Sequence, residues 1–273
     1  MSVTLVLMAA SLGTAALGVL GGLGGAVLLV PILAITGTPA SEAAPLGLIS
    51  VAAGSVAAGG LQLRERTVNH RLGVTTEVAA TLGATMGALG SGLVGETLLT
   101  RSLAVVALSA ALAMLRRRSQ EDVDLIDEAP RTIGEWPGQI AGVTDQDGAT
   151  VPYRVQRMTL GLSLMWVSGV IAGVAGASGG FLKTPVTSDL MGIPLKVAAS
   201  TTTFTIGVTA SAGLVVFVLQ GRIDPHAAAA VVAGSLIGGQ LGAKLQARAP
   251  ITIMRTGVGV VLVFIAVLLW ASS

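Results

Sequence analysis

Charge is confined to short clusters along this chain, and long uncharged runs lie between them. They cover residues 1–41, 43–61, 78–95, 102–115, 158–182, 197–221, 227–243 and 256–273. Crossing a bilayer takes about 20 apolar residues in a helix, so most of these runs predict spans. The 102–115 run is short, but Arg101 and Arg116 at its ends can snorkel to the two interfaces. The pattern predicts an all-α polytopic membrane protein of about eight transmembrane helices.

The runs repeat. An offset of 154 places Gly25 and Pro31 on Gly179 and Pro185, and an offset of 155 places Pro39 on Pro194, Asn69 on Asp224, Gly83 on Gly238 and Gly87 on Gly242. Residues 1–115 and 158–273 therefore read as two homologous four-helix repeats, each opening with a Gly/Pro-broken helix, a common transporter construction. With four spans per half the two halves enter the membrane in the same direction. If each broken segment is a re-entrant hairpin, the count becomes odd and the halves are inverted. The loops around 62–72, 116–157 and 220–226 fall on one side of the eight-span arrangement and hold ten of the sixteen Lys and Arg. The positive-inside rule then puts that side and both termini in the cytoplasm, which suits the plasma or inner membrane of a cell.

Residues 116–157 form the polar stretch between the halves, with six basic and eight acidic residues. It reads as a cytoplasmic linker in which Gln139–Thr144 and Thr150–Val155, either side of Asp145–Gly148, suggest a small β-hairpin. A regulatory or partner-docking role is the alternative. Small residues every fourth position, Ala79, Gly83, Gly87 and Ser91, then Gly234, Gly238 and Gly242, predict close helix packing within the protomer, or else a homodimer interface.

Composition sharpens this picture. Hydrophobic residues make up 52% of the 273 and charged residues only 11%, against roughly 25% charged in soluble domains, and mean hydropathy is +0.82. With no cysteine, disulfides, thiolate metal sites and cysteine nucleophiles are excluded. The pI near 9.5 reflects topology signals rather than a nucleic-acid surface. The N-terminal run has no preceding basic region and is too long for a signal peptide, so no cleavage is expected. The spans show no paired acids and no metal-ligand spacing, and no metal or cofactor is expected. His70 and His226, near span ends, read as interfacial.

The candidate chemistry gathers at the breaks. Gly21, Gly22, Gly24 and Gly25 with Pro31, and Gly176, Ser178, Gly179 and Gly180 with Pro185, mark unwound backbone. In hydrocarbon such backbone is tolerated only against protein or a watery cavity. Paired breaks point to a site for a small anion, with free N–H groups at Gly24, Gly25, Gly179 and Gly180. Lys183 sits inside the second break, where a cation either serves function or snorkels to the outer interface. Ser200, Thr201, Thr202 and Thr205 can donate to an oxyanion or bond back to their own helix; Thr201, Thr205 and Thr209 share a face. Glu77 either binds a coupling proton or pairs with Arg71 or Arg66 near the interface.

Several stretches resemble the TauE/SafE family of sulfite exporters and toluene-sulfonate uptake permeases. They are Gly24-Gly25 followed by Val30-Pro31, Gly179-Gly180-Phe181-Leu182-Lys183-Thr184-Pro185, the run from Gly192 to Thr202, and Thr67-Val68-Asn69 through Arg71-Leu72-Gly73 to Glu77. The resemblance covers nearly the whole chain except the central loop. It implies transport of sulfite, sulfonates or other small organic anions, with Ala26 and Ser178 standing where the family has glycine. The resulting expectation is a secondary transporter, not an enzyme, working by alternating access between the two broken helices. The alternatives are a passive anion channel and a carrier of a non-sulfur anion such as a small carboxylate.

Overall fold

A computed structural model describes residues 3–115, 140–144, 150–177, 179–248 and 251–272. Ser178 and the arginine cluster Arg116, Arg117 and Arg118 lie outside the described residues, as does the hairpin turn 145–148. Helix dominates: α1 (Val3–Leu20), α2 (Ala26–Ile35), α3 (Ala40–Arg64), α4 (His70–Gly90), α5 (Glu96–Leu115), α6 (Met158–Ala175), α7 (Gly180–Pro185), α8 (Leu195–Leu219), α9 (Pro225–Arg248) and α10 (Ile251–Ser272). Among them α1, α3, α6, α8 and α9 are long and apolar enough to cross a membrane. Two strands, β1 (Ile140–Thr144) and β2 (Thr150–Arg154), pair antiparallel from Ile140–Arg154 to Thr144–Thr150, where the alternating sequence predicts a hairpin.

The breaks have local causes. Gly22 and Gly24 end α1 in left-handed conformations (φ +66° and +78°), and Gly176 does the same for α6 (φ +62°), a region glycine enters without strain. Pro185 has no N–H to donate, and α7 relaxes into a π turn at Val186–Leu190. The Thr187 hydroxyl then bonds the Lys183 and Thr184 carbonyl oxygens at 2.8 and 2.9 Å.

Helix directions follow from the contacts. Gly213 meets Leu48 while Gly207 meets Ser55, so α3 and α8 run antiparallel. Gly234 rests on Met8 and Ser11 and Gly242 on Ala16, so α1 and α9 run parallel; Gly83 on Trp166 and Gly87 on Val170 give the same for α4 and α6. The glycines predicted to let helices approach do so inside the protomer, backbone against backbone.

Each broken segment returns to the end of the bundle from which it started. After Gly25, which lies beside Ser50 halfway along α3, α2 runs back to Pro39 and the start of α3. After Gly180, α7 and its π turn run back to Met191, which packs on Gly161 near the start of α6 and accepts from the Gln156 N–H. This parity changes the topology. Arg66 to His70 and the hairpin gather at one end, where Asn69 Nδ2 donates to the Tyr153 hydroxyl. The 220–222 turn lies at the other end, where Arg222 donates to the Ser91 hydroxyl and the Ser41 carbonyl. The expected grouping of loops 62–72 and 220–226 on one side therefore does not hold, because a segment that turns back does not count as a crossing.

Candidate functional site

The two breaks meet. The Thr184 hydroxyl donates to the Gly22 carbonyl oxygen (2.8 Å), and a methyl built on Gly180 would stand 2.5 Å from the Leu23 carbonyl oxygen. Gly25 is pressed between Ala15 and the Ser50 hydroxyl, and Gly179 lies under Ser168, whose hydroxyl donates to the Gly179 carbonyl (2.7 Å). The Gly24 N–H donates to the Gly18 carbonyl at 3.2 Å. These glycines thus let two unwound segments touch, and their missing side chains define the distance of approach.

Lys183 projects from the second break into the bundle. Its Nζ donates to Glu77 Oε2 of α4 at 2.7 Å and to the Thr209 hydroxyl of α8 at 2.6 Å. Glu77 Oε1 accepts from the Thr209 backbone N–H at 2.7 Å and from the Thr209 hydroxyl. Lys183 is 2% exposed and Glu77 5%. Thr209 is the fifteenth of the 25 residues of α8, so the cluster sits roughly 21 Å from that helix's start. The readings in which Lys183 snorkels to an interface and Glu77 pairs with Arg71 or Arg66 give way to one ion pair joining both residues. An ammonium carries three protons, and the third has no partner among the described residues.

The remaining candidates line the same pair of helices. Methyl groups of Thr201 and Thr205 pack on Gly73, and the Thr201 hydroxyl accepts from the Asn69 N–H at 2.9 Å. Thr205 bonds weakly back to the Thr202 carbonyl at 3.5 Å, while Ser200 and Thr202 are buried nearby in the first turns of α8. The face bearing Thr201, Thr205 and Thr209 therefore turns toward α4. Glycine at position 73 allows that approach, and Thr209 marks where it becomes ionic.

Sequence reasoning noticed Thr209 on this face without giving it a role. A hydroxyl one turn beyond Thr205 looks like any other until Glu77 is known to face it. Tyr153 was also missed. It is among the largest fully buried side chains, its hydroxyl accepts from Asn69 Nδ2 at 3.0 Å, and burial pushes its pKa up to about 12. A lone tyrosine in a polar loop gives no such signal.

A bundle of long apolar helices whose paired breaks converge beside a buried, charge-neutral Lys–Glu pair defines a multi-pass membrane transporter. The chain matches the family described as Sulfite exporter TauE/SafE over residues 7–269, and it belongs to that family. It is also 27% identical over 266 residues, 93% of each chain, to the probable membrane transporter protein YunE of Bacillus subtilis (strain 168). No solved structure matches it.

Proposed function

We propose that the protein is a secondary transporter of a small anion, sulfite or an organosulfonate, that binds at Lys183 between the two broken helices. The observation that carries this reading is the buried Lys183–Glu77–Thr209 cluster beside the meeting point of the breaks. A buried ammonium with a donor to spare is suited to an oxyanion, and a sulfur oxyanion offers several acceptors to it and to neighbouring hydroxyls. Thr203, whose buried hydroxyl has no partner among the described residues, adds a donor to the Ser200–Thr205 run.

Two inverted halves, each a re-entrant hairpin followed by three spans, are the topology this reading uses. The directions of α1, α3, α4, α6, α8 and α9 support it. Arg64, Arg66, Arg71, Arg154, Arg157, Lys196, Lys244 and Arg248 sit at the hairpin end, against Arg101 and Arg222 toward the other. By the positive-inside rule the hairpin end is cytoplasmic, and α1 starts and α10 ends on the opposite side. Rocking of one half against the other about the shared break would alternate access.

The test is binding to purified protein in detergent, followed by thermal unfolding across sulfite, sulfate, thiosulfate, sulfoacetate, taurine, lactate and chloride. A ligand at a hundred times its Kd stabilises the folded state by about 2.7 kcal/mol. Stabilisation by one sulfur oxyanion, lost in Lys183→Ala, is the expected result. Stabilisation by lactate alone would replace the substrate class, and stabilisation of Lys183→Ala equal to wild type would remove Lys183 from the site.

A further inference from the structure

Lys183 is the charge an anion needs, yet in this conformation Glu77 already holds it. We infer that Glu77 is a proton-binding site coupled to the anion site: substrate and carboxylate compete for the Lys183 ammonium, and a singly charged anion is bound together with one proton. The inference rests on the anion-transport reading above and adds the coupling ion.

The charge balance of the buried cluster carries the argument. With Lys183 and Glu77 both ionised the site is neutral. Adding a monoanion alone leaves one uncompensated negative charge beside two side chains that are only 2% and 5% exposed, which is costly. If Glu77 takes a proton as the anion arrives, the site returns to neutrality, with the anion in place of the carboxylate. No other ionisable group contacts the pair among the described residues. On α4, His70 and Arg71 are exposed in its first turn, and on α8, Lys196 lies in the first turn. On the α7 segment, Asp189 is half-buried beside the Ser188 hydroxyl. The segment of α6 packed on α4 carries no ionisable side chain, and Tyr153 is engaged with Asn69.

Thr209 supplies the mechanical part. Its oxygen accepts from Lys183 while its hydroxyl and backbone N–H both donate to Glu77. When Glu77 becomes neutral, the Lys183–Thr209 bond remains and keeps the ammonium in position. Thr209 is thus a positioning residue. A dianion bound with one proton would leave the site negative, so the geometry selects singly charged oxyanions.

The experiment uses the full chain in liposomes with a pH dye inside, and methanesulfonate and toluenesulfonate as probes, because strong-acid anions do not cross lipid in neutral form. Labelled-sulfonate counterflow is measured in parallel. Wild type is expected to acidify the lumen when sulfonate is added outside at equal pH, with one proton per anion and no response to clamping the membrane potential. Sulfonate affinity should fall as pH rises, approaching about tenfold per pH unit. Glu77→Gln should bind sulfonate with no pH dependence and carry no protons with it. Net sulfonate uptake by wild type without lumen acidification would overturn the inference while leaving anion transport standing, and so would a Glu77→Gln protein that still acidifies the lumen. Absence of flux for every anion would instead remove the transport reading, and the inference with it. The wild-type stoichiometry decides the matter even where Glu77→Gln fails to fold.

Discussion

The ionic cluster where α4 meets α8 has an uncharged counterpart where α9 meets α3. At the offsets of 154 and 155 residues, Lys183 answers to Leu29, Thr209 to Gly54 and Glu77 to Val232. Where α4 meets α8 through an ion pair, α9 meets α3 through Gly239 against the Gly54 backbone and a single Ser235–Ser50 hydrogen bond of 2.8 Å. Both interfaces position a broken segment, but only one holds charge. The comparison teaches that close approach of helices is what the two interfaces share, while the charge was placed at one of them.

The largest effect should come from breaking the ion pair on one side only. Lys183→Ala leaves the Glu77 carboxylate buried with only Thr209 for company, and one-sided loss of a buried pair costs about 3–5 kcal/mol. The variant should therefore unfold at a markedly lower temperature as well as lose transport. Adding Glu77→Leu should restore most of the stability and none of the transport. If the double variant is as unstable as the single one, the penalty does not arise from an unpaired charge.

The second effect tests the shared feature, the meeting of the breaks. Gly180→Ala puts a methyl 2.5 Å from the Leu23 carbonyl oxygen, which belongs to backbone and cannot rotate away. Overpacking of this kind costs about 1–3 kcal/mol and should slow transport by parting the segments. Gly60→Ala in α3, where a methyl meets nothing within 4 Å, serves as the control and should be neutral or slightly stabilising. Equal effects in the two variants would mean that the contact of the breaks does not matter.

Much of this architecture was legible because it rests on local rules. Glycine and proline dictated the breaks, small residues at every fourth position dictated tight helix pairs, and alternation around Asp145–Gly148 dictated the hairpin. Lys183 and Glu77 each stood out as a charge in an apolar run. Their pairing did not, because the partners lie 106 positions apart and each had a nearer explanation. Helix direction was also hidden, since a sequence offset is the same whether the matching segments run parallel or inverted. The burial of Tyr153 depends on the hairpin folding back onto Asn69, a contact 84 positions away.

Tyr153 offers a smaller perturbation, at the end of the bundle rather than at its centre. Tyr153→Phe removes one buried hydrogen bond and leaves Asn69 Nδ2 without that partner, for a loss of about 1 kcal/mol. The pH dependence has a definite sign. Burial raises the phenol from 10.0 to about 12, so the folded state holds the proton more tightly than the unfolded one. Hairpin docking should be fully stable below pH 10.0 and weaken as pH rises toward about 12. Limited proteolysis of the hairpin should show this alkaline loss in wild type and a flat response in Tyr153→Phe.

The smallest expected effect completes the comparison of the two interfaces. Ser235→Ala deletes the hydroxyl that bonds Ser50 where the first break packs, at a cost of about 0.5–1 kcal/mol. Because this interface carries no charge, transport and its proton coupling should change by no more than about two- to fivefold, an interval set by that small free energy. Thr209→Val removes one hydroxyl of similar size from the opposite interface, but there the hydroxyl links ammonium to carboxylate. Its loss should fall on substrate affinity and on the pH profile far more than on thermal stability. Two hydroxyl deletions with matching stability costs and unlike transport phenotypes would place function at the charged interface. Matching phenotypes in both assays would make the two interfaces equivalent and the asymmetry of charge incidental.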